Sequence, residues 1–488
     1  MNRKQLVKLL KKHHLLLAVS LTMLFGAYLV WSNLAASARW SGDSGFHMGT
    51  LLSVWRENQI WFYGPPSGTI NWRYPSIFSL FFLPWHFLSR GNPIFLIGLM
   101  GLLTLICIPI LTIWTKKTFN NGYLGMLTGL FILICPLTLN LARSYSNPNL
   151  VIFAFPLYLL TASQLNQGRR FGVVSFALAT GLLASLHVFT MYSLAISAAW
   201  IFYLFLQKKI SFKKTCVFFI ILLGMFSHFF LTDIQNNYYS FKGFSYEVSA
   251  KSTSETSWHK LVHTRYLEVW QLYLDLFQNK QLALLALFLS VVGIIELLNS
   301  LLQTNKNRQD KLFLLIVSTT ALFQLYIFKD IIWPWYMTSL WVIIPFFTIL
   351  GAYSIAILLF NKYRFLSILA LALPICYPLY VLLPTTFKIL RDPATGHPGD
   401  YVSTAQEVAN IISADSQNQP FRFYNDQETR HQTAFEYFWA LDQVEYSCDL
   451  GDMYILANPY LFISNQSLAS CFLNPKLAKV LDYSIYKA

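Results

Sequence analysis

One carboxylate, Asp43, is the residue best placed in this sequence to do chemistry. It lies in the segment SGDSGFH at positions 41–47, just past the first long apolar run. A carboxylate at the mouth of an apolar helical bundle can take a proton from a hydroxyl nucleophile, as a general base does. His47 follows four residues later and would share a helical face with Asp43. The structural alternative is that Asp43 caps a helix, because Asp is a favoured N-cap residue.

The composition places Asp43 in a membrane protein. The chain has 488 residues, of which 55% are apolar and 12% charged, and its mean hydropathy is +0.46. A soluble domain averages about 25% charged residues. The net charge of +14 comes from short basic loops, as in the cytoplasmic loops of membrane proteins. We therefore expect no nucleic-acid partner, since no basic face on a soluble module is evident.

The basic loops also predict how the chain crosses the membrane. Five Lys and Arg residues in the first twelve positions place the N-terminus in the cytoplasm and Asp43 on the opposite side. Segment 76–88, at about 13 residues, has the length of a re-entrant or interfacial helix, and the count becomes twelve if it crosses. Without it, the predicted spans number about eleven: roughly 15–34, 93–115, 122–141, 148–166, 172–188, 189–206, 215–234, 281–302, 312–328, 333–357 and 365–383.

Three polar regions lie outside these spans on the far side. They are two large outer loops, at 35–92 and 235–280, and the tail at 385–488. The tail alternates helical and strand-like patterns, which predicts a small extracytoplasmic α/β domain after a membrane domain over 1–384. Cys448 and Cys471 could pair there, because the compartment is oxidising. We expect the first span to stay uncleaved.

The first outer loop carries a resemblance to a known superfamily. With Asp43 near its start and Arg73-Tyr74-Pro75-Ser76 at the start of the next apolar segment, it resembles the GT-C superfamily of membrane glycosyltransferases. The likeness is to bacterial branches that include polyprenyl-phosphate-dependent mannosyltransferases and the lipid A aminoarabinose and galacturonic acid transferases. Asp43 matches their essential acidic position. Ser76 replaces the second proline of their Tyr-Pro-Pro or Lys-Pro-Pro element.

Two further segments resemble polar outer turns of that fold. They are RSYSNPN at 143–149 and WPWY at 333–336. The resemblance covers roughly residues 1–384. It implies an α-helical, polytopic, GT-C-like membrane protein with interfacial helices in the loop at 35–92. The tail is not diagnostic.

The resemblance implies transfer of a sugar from a polyprenyl-phosphate donor to an envelope lipid, glycan or protein. Asp43 would act as the base of an inverting hexosyl- or pentosyltransferase at the outer face of a bacterial inner membrane. Basic side chains at the outer ends of apolar segments would neutralise the departing phosphate, and nearby rings would stack on sugars. The implied substrate-binding residues are His47, Arg73, Tyr74, Arg143, Asn147, Lys329, Trp333 and Tyr336.

Several of these residues also have structural explanations. Arg73 could be an interfacial anchor, and Trp333 and Tyr336 could belong to a membrane aromatic belt. A divalent metal held by Asp43, His47 and Glu57 is a further alternative, although three scattered ligands are a weak pattern. The sequence does not require a cofactor.

Other functions fit the same composition. A transporter or flippase of lipid-linked sugar would also be polytopic, but such proteins often show paired repeats and midplane charges, which are not evident here. A non-catalytic envelope-assembly protein could use the tail to bind a partner. A glycan polymerase or ligase using a diphosphate-linked oligosaccharide is the remaining enzyme alternative, and the early position of Asp43 disfavours it.

Overall fold

Long apolar helices form the body of the structure. The computed structural model describes the following residues: 3–57, 62–64, 66–67, 70–243, 258–303, 307–326, 337–360, 376–384, 387, 402–415, 421–425, 437–439, 452–457, 476–480 and 483–487. The first half of the chain contains α1 (Arg3–Trp31), α2 (Leu34–Ser37), α3 (Gly42–Glu57), β1 (Pro66–Ser67), β2 (Ile70–Arg73), α4 (Ile77–Leu88), α5 (Pro93–Phe119), α6 (Gly122–Ile134), α7 (Pro136–Ala142), α8 (Val151–Asn166), α9 (Gly172–Leu186) and α10 (Tyr192–Leu206). The second half contains α11 (Phe212–Gln235), α12 (Trp258–Phe277), α13 (Lys280–Leu302), α14 (Arg308–Phe323), α15 (Leu340–Phe360), α16 (Val402–Asp415), β3 (Phe421–Asn425), β4 (Asp452–Ala457), β5 (Lys476–Val480) and β6 (Tyr483–Lys487).

Helix α5 lies in the middle of the bundle. It packs against α1, α6 and α8, and residues on most of its turns are buried. Helices α11 and α13 lie at the periphery, where large apolar side chains such as Ile220 and Leu223 are more than 60% exposed. Extensive exposed apolar surface of this kind is stable against hydrocarbon rather than water. The predicted class, an α-helical polytopic membrane protein, is therefore confirmed.

Helices α13 and α15 approach each other so closely that only glycine fits at their contact. A Cβ atom on Gly351 would overlap the carbonyl oxygen of Leu289, and one on Gly293 would overlap that of Phe347. The hydroxyls of Ser290 and Thr348 hydrogen bond across the same contact, at 3.0 Å. Small residues that allow backbones to approach are typical of helix contacts in membranes.

We therefore expect Gly351→Ala to destabilise the bundle. The added methyl group must push α15 away from α13, at a cost of about 1–3 kcal/mol. Thermal unfolding in detergent measures this change. Gly224→Ala is the matched control, since Gly224 lies in exposed α11 with no heavy atom within 4 Å of the added Cβ. Equal transition temperatures for the two variants would contradict the close packing.

The predicted spans agree with the structure in part. Seven helices are long and apolar enough to cross a membrane, or eight if α6 and α7 form one span, among the described residues. The predicted span 122–141 is bent by 82° between α6 and α7. Pro136 explains the break, because it lacks the N–H that would continue the ladder and restricts the residue before it.

Other predicted spans are shorter than expected. Helix α9 has 15 residues and α14 has 16, so each extends only about 22–24 Å at 1.5 Å per residue. Helix α4 has 12 residues and exposes Phe81, Trp85 and Leu88 while burying Phe82. The total of eleven spans stays a prediction, since most of the last predicted span falls outside the described residues.

The tail contains a helix and a mixed sheet. The strand order is β3-β4-β6-β5, with β3 and β4 parallel and the other pairs antiparallel. Helix α16 begins beside α2, where the Val402 N–H donates to the Ala38 carbonyl oxygen at 3.2 Å. Trp40 packs against the rings of Tyr437 and Phe438, both 5.6 Å away. These parts of the tail therefore lie at the same end of the bundle as the first outer loop. The domain boundary at 384 stays a prediction, and Cys448 and Cys471 lie outside the described residues.

Candidate active site

Asp43 lies in the first turn of α3, and its side chain is exposed. The hydroxyl oxygen of Ser41 accepts from the Ser44 N–H at 3.2 Å, so Ser41 occupies the N-cap position. Asp43 is the second helical residue, where a carboxylate also interacts favourably with the positive end of the helix. Ser41 thus has the capping role that was the structural alternative for Asp43.

The opposite face of α3 is fixed to the bundle. The Ser44 hydroxyl donates to the Tyr145 carbonyl oxygen at 2.7 Å. Met48, Leu51 and Leu52 are buried on the same side. Because this face is anchored at its first turn, the exposed face that carries Asp43 has a defined direction.

His47, one turn after Asp43, is buried against the bundle, whereas Asp43 is exposed. His47 is fully buried, and its Nε2 lies 3.3 Å from Asn147 Oδ1. The Asn147 amide donates to the Leu186 carbonyl oxygen, so Oδ1 is its acceptor and Nε2 of His47 carries the proton. This pair joins α3 to the end of α9. Asp43 and His47 lie one turn apart on α3, as expected of residues four positions apart, but they differ in burial, because Asp43 is at the exposed start of the helix.

Arg73 is half-buried and lies above the exposed side of α3. Its guanidinium carbon is 5.5 Å from the centre of the Phe46 ring. Phe46 is three residues after Asp43 and therefore its neighbour on the helix surface. Asp43 and Arg73 thus border the same side of α3.

The strand that carries Arg73 is bonded to the end of α11. The Ser240 hydroxyl accepts from the Arg73 N–H at 2.8 Å and donates to the Arg73 carbonyl oxygen at 3.1 Å. The buried carboxylate of Asp233 accepts from the Ser240 N–H at 2.7 Å and from the Tyr63 hydroxyl at 2.8 Å. Burial and the nearby Asp233 raise the pKa of Tyr63, so its hydroxyl stays protonated and donates. Sequence reasoning missed Asp233, whose one signal is a carboxylate ending an apolar run.

Tyr74 and Ser76 hold the start of α4. Tyr74 is buried, and its ring stacks on that of His187 with centroids 5.7 Å apart. The Ser76 hydroxyl lies 2.6 Å from His228 Nδ1. The predicted opening of an apolar helix is present, and it begins at Ile77, two residues after Pro75.

Arg143 has its hydrogen-bonding groups turned into the protein. It is fully buried, and its guanidinium donates to the carbonyl oxygens of Leu29, Val30 and Ser32 at 2.7–3.0 Å and to the Ser37 hydroxyl. These acceptors end α1 and hold α2. The arrangement is that of a structural arginine, and contact with a substrate stays an untested prediction.

The remaining predicted residues, which are Lys329, Trp333 and Tyr336, lie outside the described residues. Across the described ranges, no three His, Cys, Asp or Glu side chains come together as a metal site would require.

An apolar groove of about 400 Å³ opens beside the strand that carries Arg73. It is lined by Pro75, Met191, Leu194, Phe219, Leu222, Leu223, Phe226, Phe229, Phe230 and Phe241. Pro75 is two residues from Arg73, and Phe241 follows Ser240. The groove therefore begins beside the strand that carries Arg73 and runs along the lipid-exposed side of α11.

Comparison with known proteins identifies the fold. ArnT from Cupriavidus metallidurans bound to undecaprenyl phosphate matches with a TM-score of 0.63 and 12% identity, over 96% of this chain and 97% of that one. The apo state of ArnT from the same organism matches with a TM-score of 0.58 and 11% identity, over the same shares. No model of a known family and no curated protein sequence matches. The chain thus has the GT-C fold of ArnT, and the resemblance drawn from the first outer loop is confirmed at the level of the fold.

The buried position of His47 predicts acid sensitivity. Burial lowers the pKa of His47 from its usual 6.5 to about 4, against a smaller opposing effect of the Asn147 hydrogen bond. Between these pH values the unfolded chain binds more protons than the folded protein, so stability falls as the pH falls from 6.5 to 4. Across this pH range, His47 alone lowers the free energy of unfolding by about 3 kcal/mol.

Melting temperatures in detergent across this pH range test the prediction. Wild type should lose more stability on acidification than His47→Gln, which has no group that titrates at this position. Other buried histidines are common to both proteins and cancel in the comparison. Identical pH dependence would mean that His47 is not held in its neutral form.

Proposed function

We propose that this chain is a membrane glycosyltransferase that moves a sugar from a polyprenyl-phosphate donor to an envelope lipid, glycan or protein. The observation that carries the proposal is an exposed Asp43, held in the first turn of α3, in a chain that has the ArnT fold over 96% of its length. We place the reaction at the extracytoplasmic face of a bacterial inner membrane, with the N-terminus in the cytoplasm and the tail outside it.

The groove beside Arg73 supports a lipid-linked donor. Its lining is apolar and reaches the lipid-exposed side chains of α11, so an isoprenoid chain could enter from the bilayer. We place the donor phosphate at the end of the groove lined by Pro75, beside the strand of Arg73, whose guanidinium can form a charge-assisted hydrogen bond with it. The ArnT structure with undecaprenyl phosphate supports the same class of ligand.

The reaction we propose is a single displacement at the anomeric carbon. The acceptor hydroxyl forms the new C–O bond while its proton passes to the Asp43 carboxylate. The bond between the anomeric carbon and the phosphate oxygen breaks, and the polyprenyl phosphate leaves with the electron pair. Attack opposite the leaving group inverts the anomeric centre, as expected of a hexosyl- or pentosyltransferase that uses one carboxylate.

Charge development explains the role that we assign to Arg73. The donor phosphodiester carries one negative charge, and the departing monophosphate gains a second. A fixed guanidinium therefore interacts more strongly with the transition state than with the bound donor. Arg143 is bonded to α1 and α2, so we assign it a structural role instead.

The contacts of His47 distinguish its role from that of the proposed base, Asp43. His47 is buried and neutral, and its Nε2 is used by Asn147. We therefore assign His47, Asn147 and Tyr74 to holding α3 and α4 in place. Lys329, Trp333 and Tyr336 stay candidates for substrate contact.

We expect Asp43→Asn to abolish transfer while the protein still folds. The amide is nearly the same size but cannot accept the proton, and loss of a general base costs about 10²–10⁴-fold in rate. Mass spectrometry of envelope lipids and glycans from a deletion strain would show which sugar is lost and whether each variant restores it. Asp275→Asn is the matched control, since that carboxylate lies on α12 and accepts from Gln271 at 2.8 Å.

Full restoration by Asp43→Asn would reject the catalytic assignment. If the chain is instead a flippase, the purified protein should scramble lipid-linked sugar in liposomes without transferring it.

We expect Arg73→Gln to lower kcat more than it raises the KM for the donor. The lost charge-assisted contact corresponds to about a tenfold to hundredfold decrease in kcat/KM. Release of polyprenyl phosphate from the strain's own lipid extract measures this rate. Arg170→Gln is the control, because Arg170 also lies over a ring, 5.3 Å from the centre of Phe171. Arg170 is exposed in the loop between α8 and α9. Equal rates for the two variants would remove Arg73 from the mechanism.

A further inference from the structure

A second pocket lies at the other end of the bundle from Asp43. It has a volume of about 220 Å³, which is below the roughly 300–1,000 Å³ of sites for drug-sized ligands. It is lined by Thr118, Phe119, Asn120, Leu124, Glu296, Ser300, Gln303, Lys311, Leu350, Tyr353, Ser354, Ile357 and Leu358. Its size suits a small polar group rather than a whole sugar donor.

The position of the pocket follows from α5. This helix starts at Pro93, next to the first outer loop, and ends at Phe119, which lines the pocket. Its 27 residues extend about 40 Å, so the pocket is separated from Asp43 by the thickness of the bundle. Basic loops predict this end to be cytoplasmic.

One rim of the pocket faces lipid. Leu358 is 76% exposed and Ile357 is 49% exposed, both on the outer side of α15. Exposed apolar side chains at the end of a membrane helix contact acyl chains. A ligand in this pocket could therefore keep a hydrocarbon tail in the bilayer beside α15.

The pocket holds a buried cation. Lys311 is only 4% exposed, and its Nζ lies 5.6 Å from the centre of the Phe119 ring. The carboxylate of the preceding residue, Asp310, is turned away and accepts from Ser163 and Asn166, each at 2.7 Å. In the part of the chain that the structure describes, no carboxylate lies within ion-pair distance of Lys311 Nζ. Glu296, across the same pocket, attracts the Lys311 charge from beyond ion-pair distance. An ammonium with so little exposure gains further from a directly bonded anionic group.

The same pocket also holds a carboxylate, that of Glu296. Close by, the hydroxyls of Ser300 and Ser354 donate to carbonyl oxygens of their own helices, at 2.8 and 2.9 Å. Their lone pairs remain able to accept hydrogen bonds. The pocket therefore offers one cation for an anion, and a carboxylate with hydroxyl acceptors for a cation that carries N–H groups.

We propose that this pocket binds the headgroup of a phosphoethanolamine lipid, with the phosphate at Lys311 and the primary ammonium at Glu296. Charge complementarity selects a zwitterion, because a purely anionic headgroup would meet the carboxylate of Glu296 without compensation. A primary ammonium donates to the carboxylate and hydroxyls, which a trimethylammonium group cannot do. The acyl chains lie against Ile357 and Leu358.

Native mass spectrometry of the full-length protein tests this site. The probes are phosphatidylethanolamine, phosphatidylglycerol and soluble phosphoethanolamine, each added to delipidated protein in detergent. Wild type should retain phosphatidylethanolamine in preference to phosphatidylglycerol. Lys311→Gln should weaken that binding by about tenfold to a hundredfold. Lys209→Gln, which changes an exposed lysine outside the pocket, should bind as wild type does.

A second variant keeps the test independent of folding defects. Glu296→Gln removes the negative charge, so its preference should shift from phosphatidylethanolamine towards phosphatidylglycerol. A misfolded protein would not gain a new preference. Unchanged selectivity in Glu296→Gln would overturn the proposal, and so would soluble phosphoethanolamine binding as tightly as the lipid.

Discussion

The guanidinium of Arg143 ends the first helix and thereby positions the candidate site. The last carbonyl groups of a helix have no partner within it, and in an apolar bundle water is not available to solvate them. Arg143 supplies donors to Leu29, Val30 and Ser32. Its own carbonyl oxygen accepts from the Arg39 N–H at 2.8 Å, which directs the chain from α1 towards α3. One buried arginine thus links the end of α1, through its side chain, to the segment that leads into α3, through its backbone.

The first outer loop is consequently held from two sides. Residues of the segment after α7 bind Ser44 and His47 on the inner face of α3, and the buried Asp233 at the end of α11 holds the strand of Arg73 through Ser240. Because both attachments are hydrogen bonds in an apolar surrounding, each is costly to break. They keep Asp43 and Arg73 on the same side of α3 and leave the Asp43 side chain exposed.

Much of this fold was predictable from the sequence, whereas the roles of individual polar residues were not. Apolar runs predicted the helices, and the composition of the first outer loop singled out Asp43 and Arg73. The same reasoning gave Arg143 a phosphate to bind, because an arginine at the outer end of an apolar run has the same pattern whether it faces a ligand or a helix end. The 82° bend at Pro136 and the attachment through Asp233 depend on contacts between segments far apart in sequence, which hydropathy does not report.

Buried polar side chains at both ends of the bundle need bonding partners, because burial removes them from water. The partners differ between the two ends. At the outer end, buried polar side chains such as Arg143, Asp233 and Asn147 are bonded to backbone and side chains of the protein, so they give rigidity. At the inner end, Lys311 and Glu296 line one pocket without forming an ion pair among the described residues, so each charge can bind a group that enters the pocket. Beside the inner pocket, α13 and α15 are packed at glycine contacts that leave no room for a Cβ atom. A close-packed contact of this kind has low compressibility and transmits strain instead of absorbing it.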